Sequence, residues 1–117
     1  MSAPVQLFPH KSGDSWPGLP SIAITVDGEP LDLTGATIRI QFKQFVSDSI
    51  AALALSSQGE SPGIVVAEDP ATGVFSVPQR VITLKPGRYF WDIEVTHDSQ
   101  PVTYVAGTWQ ITSDVSR

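Results

Sequence analysis

Apolar residues alternate with polar ones along most of this chain, and this period of two is the feature that most constrains its fold. The clearest case is Thr37–Phe45 (TIRIQFKQF), where Ile38, Ile40 and Phe42 occupy every second position. Successive side chains of a β-strand point to opposite faces, so such a segment has one apolar and one wet face. Ten prolines and nine glycines fall mostly between the alternating runs, as expected for short strands joined by tight turns. The pattern therefore predicts an all-β fold.

Several further segments repeat this pattern and are separated by residues that favour turns. Pro70 presets φ for a turn within Glu68–Thr72, and Gly73 can supply positive φ, so the flanking strands form a predicted hairpin. By the same reasoning Lys85–Arg88 (KPGR) is a candidate type II turn, and Asp27-Gly28 marks another turn. The predicted strands are Ser21–Val26, Thr37–Phe45, Ser49–Ser57, Gly63–Ala67, Gly73–Val77, Arg88–Thr96 and a last one after Pro101.

The segment Ser49–Ser57 (SIAALALSS) is ambiguous, because alanine and leucine favour helix while Leu53 and Leu55 also fit an alternating strand. A helix this short would be marginal in water. A hairpin with Thr37–Phe45 through Val46-Ser47-Asp48 would bury both leucines. We therefore predict a strand.

The last two strands allow their register to be predicted. A five-residue loop, His97–Pro101, sets alternate residues of Arg88–Thr96 opposite the strand that follows. In this register Gly107 makes room for the indole of Trp91, whereas a four-residue loop would pair Trp91 with Thr108, a poorer fit. The predicted cross-strand pairs are Ile93 with Val105, Trp91 with Gly107, and Tyr89 with Trp109. The predicted outward residues are Phe90, Asp92, Glu94 and Tyr104.

At 117 residues the chain is long enough for one domain with a sizeable core. Seven or eight short strands at this spacing predict an immunoglobulin-like two-sheet β-sandwich, without the disulfide because there is no cysteine. This domain covers residues 21–117. Met1–Pro20 is interrupted by four prolines and lacks regular alternation, so it is predicted to be an N-terminal arm or a lead-in strand.

Composition excludes several functional classes. With a formal net charge of −5 and seven Lys and Arg, the chain has too little basic charge to neutralise a run of phosphates, so no nucleic-acid partner is expected. No N-terminal apolar region resembles a signal peptide, and no stretch approaches the roughly 18 apolar residues that span a bilayer, so no membrane partner is expected. The lack of cysteine excludes disulfides, thiolate metal sites and a cysteine nucleophile, and is compatible with a reducing cytoplasm.

The segment GDSWPGLPSIAI raises the question of an esterase, because Gly13-Asp14-Ser15 matches the start of a nucleophile signature. Such a serine needs a histidine base and an oxyanion hole on a longer α/β chain. Here Trp16 stands where that signature has leucine, and only two histidines are present. The interpretation that we favour is that Gly13 and Asp14 begin a strand or turn and that Trp16 enters the core. We predict no enzyme.

No metal or cofactor site is predicted. His10 and His97 are too far apart in sequence to form a recognisable ligand pair, and no spacing supplies the further ligands that zinc needs. Asp92 and Glu94 share one face of a strand, with Asp98 nearby, so a calcium site is conceivable. Strand-spaced carboxylates lack the loop that wraps oxygens round the ion, however. A wet sheet face, on which these carboxylates pair with Arg39 or Lys43, is the interpretation that we favour.

Aromatic residues could line a sugar platform or fill a core. The predicted register points Tyr89, Trp91 and Trp109 inward, where large rings supply much of the apolar burial. Only Phe90 and Tyr104 then face out, which fits a small contact patch better than a carbohydrate groove.

An ordered series of blocks resembles a known family. The blocks are GDSWPGLPSIAI, LDLTGATIRIQFK, GIVVAEDPATGVFSV, LKPGRYFWDIEVT and VTYVAGTWQITSDVSR. Together they resemble the immunoglobulin-like N-terminal domain of the phage baseplate upper protein family and related small phage tail or virion proteins. The resemblance extends from about Gly13 to Arg117. Its most specific pieces are Asp32–Ala36, Asp69–Gly73 and Pro86-Gly87 leading into YFWDI.

The resemblance implies a fold and a setting rather than a catalytic residue. It implies a non-enzymatic phage virion protein of the tail or baseplate, made in the host bacterial cytoplasm. Its expected partners are other phage structural proteins, which it meets as a homo-oligomer or in many copies through sandwich edges and an N-terminal arm. A capsid decoration (cement) protein and, from another class, a glycan-binding module are the alternatives. The candidate interface residues are Leu7, Phe8, Trp16, Phe90 and Tyr104, although Trp16 also fits the domain's own core.

Overall fold

A computed structural model describes residues 7, 9–45, 47–48, 50–58 and 63–113, and within these residues the protein is all-β, as predicted. One 3₁₀ turn, Pro70–Thr72, is the only helical element among them. The strands of the described part are β1 (His10–Lys11), β2 (Ser15–Trp16), β3 (Leu19–Ala23), β4 (Thr25–Val26), β5 (Glu29–Pro30), β6 (Thr37–Lys43), β7 (Leu53–Ser56), β8 (Val65–Val66), β9 (Val74–Val77), β10 (Arg80–Val81), β11 (Gly87–His97) and β12 (Gln100–Thr112).

The strands form one large sheet and several small ones. The large sheet has the order β1-β12-β11-β6-β7, and its pairings are antiparallel except for the parallel contact of β1 with β12. A three-stranded sheet has the order β3-β9-β8, while β2 pairs with β10 and β4 pairs with β5. Among the described residues, β1 pairs with β12 at Ile111 and Thr112.

The sheets bury their apolar faces in one shared core. Phe42 and Trp109 of the large sheet, Phe75 of the three-stranded sheet and Trp16 of β2 belong to the same buried cluster. The ring of Trp109 lies 5.1 Å from that of Trp16 and 5.3 Å from that of Phe42, measured between centroids. Every buried side chain in the described part is hydrophobic. This shared core between sheets is consistent with a β-sandwich.

The predicted strand in Ser49–Ser57 is confirmed. Four of its residues form β7, which sets Leu53 opposite Phe42 and Leu55 opposite Ile40. Leu55 is buried and Leu53 half-buried. The connection from β6 is longer than the three residues predicted, because β6 ends at Lys43 and pairing resumes only at Leu53.

The predicted register of β11 and β12 is confirmed in its three pairs, but the predicted loop is wrong. Trp91 lies opposite Gly107, and the pairs of Tyr89 with Trp109 and Ile93 with Val105 also form. The strands are joined by a two-residue turn, Asp98-Ser99, in which both residues have positive φ (47° and 64°), as in a type I′ hairpin. The shorter turn shifts the pairing by one residue. A β-bulge, with its extra residue on β12 opposite Ile93 and Glu94, shifts the pairing back and restores the predicted pairs.

The same bulge changes the orientation of Tyr104. The pairing passes from Val105 opposite Ile93 to Thr103 opposite Glu94, which leaves Tyr104 as the extra residue. Tyr104 is half-buried and packs against the core cluster instead of facing outward. The outward prediction was wrong for Tyr104, because a bulge interrupts the strict alternation on which it was based.

Turn chemistry explains where the shorter strands end. The side chain of Asp69 accepts a hydrogen bond from the Ala71 N–H, and Gly73 closes the turn with φ of 72°, which confirms the predicted hairpin of β8 and β9. The turn at Asp27-Gly28 is also confirmed, since both residues have positive φ between β4 and β5. The type II turn predicted at KPGR was wrong in detail: Gly87 has φ of 148°, far from the roughly +80° of that turn, and begins β11.

Alternation in Ser21–Val26 predicts Ile22, Ile24 and Val26 on one buried face, and this holds for the first two only. Ile22 and Ile24 are buried, but Val26 is exposed. The reason is that the chain leaves β3 before the turn at Asp27-Gly28, so Val26 belongs to the separate two-stranded ribbon of β4 and β5.

Gly107 lies close against the indole of Trp91 on the neighbouring strand. A Cβ atom added to Gly107 would lie 2.9 Å from Cζ2 of Trp91. The Trp91 Nε1–H donates a hydrogen bond of 3.2 Å to the Thr108 carbonyl oxygen, which holds the indole against β12. The ring therefore has little room to move away from an added methyl group.

We predict that Gly107→Ala lowers the free energy of unfolding by about 1–2 kcal/mol, because overpacking against the buried indole exceeds the gain from a less flexible unfolded chain. Urea denaturation measures the change, and Ala106→Ser on the exposed side of β12 is the control, with an expected effect within about 0.5 kcal/mol. In a Trp91→Phe background the smaller ring should reduce the cost of Gly107→Ala. Equal costs in both backgrounds would show that the indole contact is not the cause.

Candidate functional site

The segment Gly13-Asp14-Ser15 is a structural turn followed by a short strand. Gly13 has φ of 90° in the turn between β1 and β2, and Ser15 pairs with Val81 of β10. The Ser15 Oγ accepts a hydrogen bond of 2.6 Å from Gln79 Nε2. His10 instead directs its Nε2 to the Asp14 carbonyl oxygen at 3.0 Å. The prediction that these residues form a turn and that Trp16 enters the core is confirmed.

Trp16 and Leu7, two candidate interface residues, both contact the domain's own core. Trp16 is 7% exposed, and Leu7 is half-buried against the core cluster. The chain around them forms a groove of about 330 Å³ that also includes Pro9, His10 and Pro17. Phe8, the candidate between them in sequence, lies outside the described residues. Two short strands of the N-terminal segment are paired: β1 (His10–Lys11) with β12, and β2 (Ser15–Trp16) with β10.

Phe90 is the one aromatic candidate that the described structure places on the outside of the large sheet. It is 36% exposed, whereas Tyr104 packs toward the core. Phe90 lies opposite Thr108, and the bulge at Tyr104 comes three to four residues farther along β11, about 12 Å away at the rise of a strand. The two rings therefore do not form one stacking platform for a sugar.

Phe90 belongs to a face on which charged and small side chains follow the strand register. We call the outward side chains of β7, β6, β11 and β12 the outer face. Pairing of β6 with β11 creates three rows on it: Arg39 beside Glu94, Gln41 beside Asp92, and Lys43 beside Phe90. A shallow depression of about 200 Å³ lies over this face between Gln41, Lys43, Phe90, Asp92 and Ala106.

The two carboxylates in the middle of β11 lie beside basic and amide side chains of β6 and far from the carboxylate in the hairpin turn. Glu94 lies directly opposite Arg39, while Asp92 lies opposite Gln41. Asp98 is in the hairpin turn, six residues beyond Asp92 and about 20 Å along the strand. Within the described ranges, no group of three or more His, Asp or Glu side chains is placed to hold a metal ion.

One polar cluster, formed by Asp32, Thr34 and His97, was not predicted from the sequence. Asp32 Oδ1 accepts hydrogen bonds from the Thr34 backbone N–H at 2.9 Å and from Thr34 Oγ1 at 2.6 Å. His97 Nε2 donates to the Asp32 carbonyl oxygen at 2.8 Å and so ties this loop to the end of β11. The hydrogen bonds from Thr34 hold the pKa of Asp32 below its ordinary value, with a smaller contribution from His97. The sequence signal was the Asp-Leu-Thr spacing, which is typical of an Asx turn.

Comparison with models of known protein families and with curated protein sequences finds no match for this chain. The resemblance to phage baseplate proteins therefore remains a prediction. No helix in the part of the chain that the structure describes is long and apolar enough to cross a membrane.

We predict that Trp16→Ala and Phe90→Ala differ sharply in their effect on stability. Loss of a buried tryptophan should cost about 3–5 kcal/mol, whereas loss of the half-covered Phe90 ring should cost less than about 1 kcal/mol. Chemical denaturation of both variants tests this, with circular dichroism as a check of fold. Similar losses for the two variants would mean that Phe90 is part of the core and is not available for contacts.

A second prediction concerns pH. Because folding depresses the pKa of Asp32, its contribution to stability is present above the ordinary value of 3.8 and is lost as the pH falls through the folded-state pKa. Melting temperatures of the wild type and of Asp32→Asn should therefore differ most above the ordinary pKa value of 3.8 and should converge as the pH falls through the lower folded-state pKa. Asp14→Asn, a change on a carboxylate outside this cluster, is the control. A constant difference across the range would rule out the Asp32 carboxylate as the titrating group.

Proposed function

We propose that this chain is a non-enzymatic structural component of a bacteriophage virion, in the tail or baseplate, built on an immunoglobulin-like β-sandwich. The protein works by docking to neighbouring subunits rather than by turnover. Its partners are other phage structural proteins and further copies of itself, and the virion is its location.

Strand order supports the immunoglobulin-like type. In that fold the second, fifth and fourth strands, B, E and D, share one sheet, and strands C, F and G share the other. The order β3-β9-β8 corresponds to B-E-D, and the order β12-β11-β6-β7 corresponds to G-F-C with the additional strand C′ of the variable type. The parallel contact of β1 with β12 adds a short lead-in strand beside G.

A buried tyrosine supports the same assignment. Immunoglobulin-type sandwiches have a tyrosine near the start of strand F whose hydroxyl bonds to the backbone a few residues upstream. Tyr89 lies near the start of β11, and its hydroxyl donates to the Lys85 carbonyl oxygen at 2.8 Å. Burial raises the pKa of Tyr89, so the hydroxyl keeps the proton that this bond requires. Two residues later, where antibody domains have a cysteine, this chain has the buried Trp91.

The single observation that carries the functional proposal is where the large rings lie. Trp16, Tyr89, Trp91 and Trp109 all come from the blocks that resemble the phage family, and none is more than 7% exposed. These blocks therefore build the interior, and the surface consists of sheet faces and strand edges. Such surfaces are suited to contacts with other subunits.

One part of the described surface serves as a candidate contact. It is the groove lined by Leu7, Pro9 and His10, next to the buried Trp16.

We predict that this protein is present in purified particles of the phage that encodes it, and that its copy number identifies its place. Copy number follows particle symmetry, so a few to about a few dozen copies indicate the tail or baseplate and hundreds indicate capsid decoration. Quantitative mass spectrometry against an internal standard measures this number. Absence from the particles, with sugar binding that is lost in Phe90→Ala, would instead favour the glycan-binding alternative.

Deletion of residues 1–8 tests the arm within the same experiment, because it leaves β1 intact. Particles that incorporate the shortened protein at full occupancy would show that contacts lie elsewhere on the domain. Leu7→Ser in the full-length chain is the matched variant, since it removes the apolar contact at the groove without shortening the chain.

A further inference from the structure

We infer that the outer face of the large sheet is a self-complementary surface that binds a second copy of this chain in a two-fold face-to-face dimer. The inference uses only the register and charges of the described strands. It therefore stands or falls independently of the proposed phage setting.

Within the three rows that β6 and β11 share, the charges on the outer face are sorted by strand. Outward positions of β6 carry the bases Arg39 and Lys43 there, and those of β11 carry the acids Asp92 and Glu94. One further base on β11, Arg88, lies beyond these rows, two residues before Phe90. The register sets Arg39 beside Glu94, and Lys43 beside the exposed ring of Phe90. The face thus has a basic column next to an acidic column, with matched heights.

This pattern selects one of the two possible two-fold arrangements. An axis parallel to the strands, midway between β6 and β11, places β6 of one copy over β11 of the other at the same height. Arg39 then faces Glu94 of the second copy, and Lys43 faces Phe90, where a cation can lie over the ring. An axis perpendicular to the strands would instead place Arg39 over Lys43 and Asp92 over itself, which is repulsive. Aligned sheets cross at about 30°, an angle that keeps neighbouring columns in contact near the axis.

The flanking columns allow the two sheets to approach closely. In the same arrangement β7 of one copy covers β12 of the other, because each lies next to one of the central strands. Ala54 lies in the row of Gln41, and Ala106 lies in the row of Asp92, so these two small side chains meet across the interface. In the next row, Ser56 likewise meets Thr103. No bulky side chain at these positions holds the faces apart.

Net charge favours this face over the rest of the surface for self-association. The chain has 12 acidic and seven basic residues, whereas the four charged central positions hold two of each sign. The acidic excess therefore lies elsewhere and repels a second copy that approaches on other sides.

The size of the face predicts a weak dimer. Four strands at about 4.8 Å spacing and three rows give roughly 400 Å² per copy, well below the roughly 800 Å² per partner of a standard stable interface. We therefore expect dissociation constants on the order of 100 μM in solution. Such contacts become effective where many copies are held side by side, because effective concentrations then reach the millimolar range.

Sedimentation equilibrium of the purified chain tests the inference. In about 50 mM salt we expect a monomer–dimer equilibrium that weakens several-fold in about 500 mM salt, since the facing charges are partly exposed. Glu94→Arg places arginine over Arg39 twice in each dimer and should weaken association at least about tenfold. The double variant Arg39→Glu with Glu94→Arg exchanges the two charges of that row, so that opposite charges face each other again, and should restore association to within about threefold.

Glu29→Arg on β5 is the matched control, because it changes the net charge by the same amount away from this face. Both substitutions make the net charge less negative, which by itself favours association. Weaker association of Glu94→Arg but not of Glu29→Arg therefore cannot be an effect of net charge. Thermal unfolding of each variant checks that it is folded, and Glu94→Gln gives an intermediate weakening with a milder change.

Three results would overturn the inference. One is a monomer at all concentrations up to about 1 mM in low salt, where a dimer of the expected strength would dominate. Another is equal association of Glu94→Arg and Glu29→Arg. The third is a set of concentration-dependent amide shifts confined to the groove around Leu7, with none at Ala54 or Ala106.

Discussion

The packing of Trp109 against Trp16 and Phe42 is the interaction on which the rest of the structure depends. Trp109 belongs to β12, Phe42 to β6 of the same large sheet, and Trp16 to the separate pair of β2 and β10. One indole thus joins strands that no backbone hydrogen bonds connect directly. Aromatic pairs at about 5 Å between centroids add to the area that they bury, so this cluster links two sheets with few residues. Since there is no disulfide, the link has to come from such packing.

Much of this fold could be predicted, because a period of two carries the physical information that positions a core. Ile38, Ile40 and Phe42 are buried where their spacing placed them, and the pair of Trp91 with Gly107 followed from the room that an indole needs. The hairpin of β8 and β9 followed from Pro70 and Gly73, whose backbone preferences are local. These features share one property: the cause lies within a few residues of its effect or in one pair of facing strands.

The features that were missed have causes that are not local. The residues around Tyr104 contain no local signal for a bulge, because the bulge compensates for the short turn that ends at Ser99, five residues before it. Asp98 and Ser99 adopt positive φ without glycine, and only the pairing of β11 with β12 holds them there. The same holds for the candidate site. Phe90 could be placed on the outside by alternation, but Tyr104 could not, and the contact of His97 with Asp32 joins residues 65 positions apart.

The interior and the surface of the described part have separate roles. The interior holds no buried charged residue, and the polar atoms of the buried Tyr89 and Trp91 are both hydrogen-bonded to backbone carbonyl oxygens. Such a close-packed interior holds the strands so that their outward side chains keep a fixed register. The three rows of β6 and β11 therefore keep their spacing in every copy. Opposite charges of two copies can then meet without rearrangement of the strands that carry them. Preorganisation of this kind reduces the entropy cost of each contact, which matters most for contacts that are individually weak. A face whose basic and acidic columns keep a fixed spacing is therefore suited to the weak two-fold contact that we propose.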